Sequence, residues 1–157
     1  WMLPLERERK PWPWLNTQFR ESTGNGISPD GKWMAYSSDE SGRNEVYLQA
    51  FVPGVPASGS RWPISIGGGA QIRWRRDGRG LYYHLNGKMM EVDVSLGTKV
   101  EAGLPRELFD SRTIGAYLNR SLNMTKDEQR FLFVTNADEA SVPPFTVVLN
   151  WMAEVKK

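Results

Sequence analysis

The chain of 157 residues contains no cysteine and a single histidine, His84. The lack of cysteine excludes disulfide bonds, cysteine-ligated zinc, iron–sulfur clusters and a thiol nucleophile. One histidine is too few for a zinc site built from several histidines. The longest apolar run, at 147–152, is interrupted by Asn150 and is far shorter than a membrane-spanning helix. We therefore expect no metal, no other cofactor and no membrane span.

The charge balance and the motif content exclude further classes of function. A net charge of +2 is only mildly basic and predicts no nucleic-acid partner. The chain has no Gly-x-Ser-x-Gly motif, which argues against an α/β-hydrolase, and none of the protein-kinase motifs. With aromatic residues at 11%, it is too aromatic for a disordered segment. A globular binding or structural domain fits this composition.

An internal repeat is the strongest pattern in the sequence. Asp30, Asp77 and Asp127 lie 47 and 50 residues apart, and each sits in a turn sequence followed by an apolar strand. Apolar residues recur three before, four after and six after each aspartate: Ile27, Met34 and Tyr36; Trp74, Leu81 and Tyr83; Met124, Phe131 and Phe133. Offsets of four and six share one face of a strand. The turn-forming residues are Pro29, Asp30, Gly31, Asp77, Gly78 and Asp127. In the third copy Glu128 replaces the glycine, so we expect that turn to differ or to carry strain.

Each copy continues into further strands and reversals, which is typical of a propeller blade of four strands. The predicted all-β fold has about three four-stranded propeller blades plus an N-terminal hairpin. The hairpin covers 1–16, with strands at 1–5 and 12–16, and the blades cover 24–66, 70–110 and 118–151. Asn86-Gly87 predicts a type I′ turn.

Several of these segments resemble a known family. The sequence SPDGKW at 28–33 resembles the strand-turn signature of TolB-like, WD40-like bacterial propeller repeats. The strings at 38–47, 67–78 and 147–151 resemble the carboxy-terminal propellers of bacterial transmembrane serine/threonine protein kinases. The resemblance covers nearly the whole chain. It implies half of a six-bladed propeller, a sensing or scaffolding role and a location outside the cytoplasm.

About three blades are too few to close a ring, because propellers close with four to eight. We therefore expect a homodimer in which two copies supply six blades around a two-fold axis. Strand 12–16 would then complete the last blade, whose third strand is predicted at 145–151.

Candidate ligand-binding residues lie on the predicted first strands of the blades, toward the central channel: Gln71, Arg73, Arg75, Ser121 and Asn123. Such a channel could hold a protein partner or a small anionic ligand. The alternative is that the arginines pair with Asp and Glu of neighbouring blades. We interpret His84 as a structural strand histidine and Gly67–Gly69 as a flexible crossing between blades. No catalytic or metal-ligating residue is predicted.

The predicted function is a non-catalytic binding, sensor or scaffold module. Two alternatives stay open at this stage. One is a hydrolase or lyase with its site in the propeller channel or at the dimer seam. The other is a fragment of a prolyl-oligopeptidase-like enzyme, in which the propeller would only gate the substrate. Similarity of fold alone does not decide between these three functions.

Overall fold

The computed structural model describes residues 1–5, 9–24, 26–114 and 123–132. This part of the chain forms antiparallel sheets and one short 3₁₀ helix, Ser111–Ile114, which confirms the all-β prediction. Within these ranges no helix has the length and apolarity that crossing a membrane requires.

The first sheet is a four-stranded meander in chain order. Its strands are β1 (Glu21–Ser22), β2 (Trp33–Ser38), β3 (Glu45–Ala50) and β4 (Arg61–Pro63). The first strand continues beyond β1, because the Ala35 N–H donates to the Gly26 carbonyl at 2.7 Å and the Ser28 N–H donates to the Trp33 carbonyl at 2.9 Å. β2 is buried along most of its length, which makes it a central strand of the sheet.

The second sheet has five strands where four were predicted. They are β5 (Ala70–Trp74), β6 (Gly80–Leu85), β7 (Lys88–Leu96), β8 (Val100–Ala102) and β9 (Arg106–Asp110). β7 pairs with β6 along one edge. Along its other edge β7 is longer than β9, so its first half pairs with β9 and its second half pairs with β8. Burial of Val94 and Val100 holds the additional hairpin in place.

The third sheet, as far as it is described, consists of β10 (Asn123–Met124) and β11 (Phe131–Leu132). The other strands predicted for the last blade fall on residues outside the described ranges.

All three repeat turns have the same hydrogen bonds. The N–H of the residue after each aspartate donates to a carbonyl three residues earlier: Gly31 to Ser28 at 2.9 Å, Gly78 to Arg75 at 3.0 Å and Glu128 to Thr125 at 3.0 Å. Each aspartate accepts the N–H two residues later: Asp30 from Lys32, Asp77 from Arg79 and Asp127 from Gln129. The repeat in the sequence is therefore a repeat of one turn geometry.

The third turn keeps this geometry without a glycine, contrary to the expectation of a different turn. Glu128 has a φ of 59°, close to the 72° of Gly31 and the 69° of Gly78. A side chain in this left-handed region costs about 1 kcal/mol, so the strained alternative is the one observed. The type I′ turn is also present, since Asn86 and Gly87 both have positive φ and join β6 to β7.

The sheets stack face to face in chain order. We call the face of each sheet toward the preceding segment its backward face and the opposite face its forward face. The residue four after each repeat aspartate lies on the backward face. Met34 packs with Trp14 of the N-terminal segment, by which we mean residues 1–5 and 9–16. Leu81 packs in the core against the first sheet, and Phe131 packs on Tyr82 of the second sheet. Each unit thus contacts the one before it.

The first strands of the first two sheets approach each other closely. The Trp74 indole N–H donates to the Gly26 carbonyl at 2.7 Å across the two sheets. A Cβ on Gly24 would lie 3.4 Å from the Ile72 carbonyl oxygen. The sheets therefore meet at the edge that the first strands form.

One of the recurring apolar positions of the repeat, Ile27, is exposed. Ile27 pairs with Met34 by an isolated bridge, but 47% of its surface is accessible, whereas its counterpart Trp74 is buried. The N-terminal segment covers Met34 but does not extend over Ile27. The backward face of the first sheet is therefore only partly covered.

Candidate functional site

Two of the predicted binding residues, Gln71 and Arg73, lie on β5, the edge strand of the second sheet, and Arg75 follows directly after it. Ile72 and Trp74 face the first sheet and are buried. Arg73 is the cross-strand neighbour of Tyr82, whose ring faces the third sheet. Strand alternation therefore places Arg73 on the forward face of the second sheet.

The other two predicted binding residues belong to the third repeat. Asn123 lies on β10, also a first strand, where it pairs with Leu132. Ser121 lies outside the described residues. Ligand binding by these side chains together stays a prediction.

Gln71 occupies an irregular point of β5. It has a positive φ of 54°, and the pairing of β5 with β6 shifts register between Ala70 and Arg73. Its side-chain oxygen is buried and accepts no hydrogen bond from the described residues. The bulge turns the strand at this position, and such bulges redirect neighbouring side chains.

Arg75 is bound by three carboxylates of its own sheet. Its Nη1 lies 3.0 Å from Glu91 Oε1 and 2.6 Å from Asp93 Oδ1, and its Nε donates to Asp77 Oδ1 at 2.9 Å. These hydrogen bonds, the one to Asp77 foremost, raise the pKa of Arg75, and the same bond lowers the pKa of Asp77. Of the two interpretations of Arg75, pairing with carboxylates is the one observed, although the partners come from its own sheet.

Glu91 is the centre of this cluster. Its side chain is only 7% exposed, and its second oxygen accepts two bonds from Arg106, at 2.9 Å from Nε and 2.6 Å from Nη2. Glu91 therefore joins Arg75 after β5 to Arg106 on β9 across the whole sheet. We call these two arginines together with Asp77, Glu91 and Asp93 the Glu91 cluster.

The composition of the Glu91 cluster indicates a structural role. Two guanidinium groups face three carboxylates, so the cluster has no excess positive charge for an anion. The sequence shows Asp77 two residues after Arg75, which is a signal for that contact. Glu91 and Arg106 could not be found in this way, because their contact depends on the register between β7 and β9.

An open cavity of about 780 Å³ adjoins the Glu91 cluster. It is lined by Arg75, Gly78, Arg79, Asp93, the end of β7 and the β8 segment through Gly103. Arg79 and Glu101 bring opposite charges to the same cavity. This mixture suits a polar surface contact and favours no particular ligand charge.

A second cleft, of about 320 Å³, lies at the opposite end of the sheets. Gly67–Gly69, His84 and Arg43 line it. The crossing is closely packed at Gly69, where a Cβ would lie 2.7 Å from Val46 Cγ2, and open at Gly67, where nothing lies within 4 Å of an added Cβ. The Gly69 N–H donates to the Asn44 carbonyl at 2.8 Å, so this amide is not available to an anion.

His84 has a structural environment. Its Nε2 lies 3.4 Å from the hydroxyl of Ser111, which itself donates to the Gly87 carbonyl at 2.6 Å. Burial lowers the pKa of His84 and favours the neutral ring. Within the described ranges the polar side chain beside the His84 ring is the Ser111 hydroxyl.

Among the described residues, no three His, Asp or Glu side chains form a group that could hold a metal ion. Comparisons of the chain with protein-family models, with curated proteins and with solved structures found no match.

Proposed function

We propose that this chain is a non-catalytic binding and scaffold module, built as half of a six-bladed propeller and completed by a second copy of the chain. The observation that carries this proposal is the threefold recurrence of one turn geometry, with each turn followed by a strand that packs on the preceding unit. Units related in this way are the building principle of propellers.

The packing of the first strands supports a radial arrangement. Blades of a propeller converge at their first strands around a central channel. Here the backbones of Gly24 and Ile72 lie close together, and Trp74 bonds across to Gly26. In this arrangement Gln71, Arg73 and Asn123 belong to the channel side of their blades, where a small ligand or a peptide would bind.

The polar chemistry of the described residues favours binding over catalysis. The two arginines of the Glu91 cluster are paired with its three carboxylates, and His84 lies next to a serine hydroxyl. No observation on the described residues favours the hydrolase or lyase alternative. A scaffold that presents loops and cavities at the two ends of its sheets needs no such group.

Assembly and shape test the proposal together. We expect sedimentation equilibrium at micromolar concentration to give twice the mass of the 17.9 kDa chain. Class averages from electron microscopy of the same sample should show a closed ring of six sheets around a central hole. A strict monomer, or a dimer without a ring, contradicts the proposal.

A further inference from the structure

Two exposed apolar residues occupy equivalent places at the two ends of the sheet stack that the described residues form. In each internal seam, the residue five after one repeat aspartate shares a core cluster with the residue three before the next. Ala35 shares its cluster with Trp74, and Tyr82 shares its cluster with Met124. The same pattern thus joins the first sheet to the second and the second to the third.

The two ends carry the unmatched halves of this pattern. Leu132, five after Asp127, lies on the forward face of the third sheet and is 65% exposed. Ile27, three before Asp30, lies on the backward face of the first sheet and is 47% exposed. Exposed apolar positions at recurring interface sites indicate a surface that another protein covers.

The N-terminal segment supports this assignment independently. Met2 bonds with Trp12 through both backbone groups, at 2.8 and 2.9 Å, and packs toward the first sheet. The residues Trp1, Leu3 and Leu5 of this segment are 82%, 54% and 77% exposed. Apolar side chains exposed to this extent in one short segment indicate a surface that another protein covers.

We propose that Leu132 of one copy packs on Ile27 of a second copy, in the geometry by which Ala35 meets Trp74. The N-terminal segment of the second copy then lies beside the third sheet of the first and becomes buried on both faces. This inference rests on the proposed function and specifies its interface. A two-fold axis repeats the contact, so two copies make two identical seams and close the assembly.

The absence of cysteine permits a direct test by site-specific crosslinking. We would prepare Ile27→Cys, Leu132→Cys and the double variant, and treat each with a short bis-maleimide. The double variant, and a mixture of the two single variants, should give a covalent dimer on a denaturing gel. Each single variant alone should stay monomeric, as should the control Thr98→Cys, which lies in the exposed β7–β8 turn.

Polar substitutions provide a second readout that needs no crosslinker. Leu132→Asp and Ile27→Asp should each weaken the dimer at least tenfold, measured by sedimentation equilibrium, because each buries a charge in both seams. Leu104→Asp is the control, since Leu104 is also exposed, at 87%, and lies in the loop between β8 and β9 of the second sheet, which takes no part in the proposed seam.

The outcomes separate this inference from the proposed function. A monomeric parent chain contradicts both proposals. A dimeric parent chain in which Ile27→Cys and Leu132→Cys fail to link, or in which Leu132→Asp has no more effect than Leu104→Asp, refutes only the seam. Linking of Ile27→Cys to itself, or a ladder of higher oligomers from the double variant, also refutes it, because either result requires a different contact.

Discussion

Glu91 provides the sharpest test of how the second sheet is held together. Replacing it by Gln keeps the size of the side chain but removes the charge that joins Arg75 to Arg106. At 3.0 Å from Arg75, and with an effective dielectric constant of about 20, the Coulomb attraction of one such pair is roughly 5 kcal/mol. The cost of burying the carboxylate offsets most of this attraction.

The surroundings limit the loss in Glu91→Gln. Arg75 keeps Asp77 and Asp93 as partners, and Arg106 is 63% exposed and regains water. Breaking a fully buried pair costs about 3–5 kcal/mol, so we expect the smaller value of about 2 kcal/mol in the free energy of unfolding. With a typical urea dependence of about 2 kcal/mol per molar, the unfolding midpoint should fall by about 1 M.

Glu107→Gln is the matched control, because it breaks an ion pair on the same sheet that water can reach. Glu107 pairs with Lys88, and both side chains are 41% exposed. Such a pair contributes less than about 1 kcal/mol. Urea denaturation should be followed by circular dichroism at one fixed protein concentration, because association shifts apparent stability. Equal effects of the two variants would refute the central role of Glu91.

Two further predictions concern glycine positions and acid stability. Gly31→Ala should lower the free energy of unfolding by about 1 kcal/mol through its positive φ alone, since nothing lies within 4 Å of the added Cβ. Gly69→Ala should cost about 1–3 kcal/mol, because the added Cβ overpacks against Val46. Thermal denaturation compares the two variants; Asn tolerates this φ better than Ala, so an equal loss from Gly31→Asn would contradict the reason given for Gly31→Ala. Arg75 is the chief cause of the lowered pKa of Asp77, so the stability that Asp77 contributes is present above the ordinary value of 3.8 and is lost as the pH falls through the lowered value. Asp77→Asn should therefore flatten the acid side of the plot of unfolding free energy against pH. An unchanged slope on that side would contradict this reasoning.

Local sequence patterns predicted the units of the fold well, because their causes are local. The Asp-centred turns depend on contacts within a few residues, and the type I′ turn depends on Asn86 and Gly87 tolerating positive φ. The alternation of Leu81, Tyr82 and Tyr83 predicted which side chains share a face. The third turn was less predictable, because Glu128 adopts a conformation that its residue type disfavours and also accepts the Arg76 N–H at 2.7 Å.

Contacts between distant strands could not be predicted from the sequence in the same way. The fifth strand of the second sheet exists because β7 extends beyond its pairing with β9 and leaves an edge that β8 can pair with. The exposure of Ile27 depends on how far the N-terminal segment extends over the first sheet. The extra strand and the exposure of Ile27 both depend on distant parts of the chain, and not on the residue types at those positions.

The sequence by itself determined the all-β character, the turn geometry and the exclusion of cysteine chemistry, because composition and short-range hydrogen bonding decide these. Only the tertiary structure decided the partners of Arg75 and the exposed positions at the two ends of the stack. The register of β7 against β9 brings Glu91 to Arg106, and the pairing of β5, β6 and β7 brings it to Arg75. Such a register is set by the packing of whole sheets, and no single stretch of the chain encodes it.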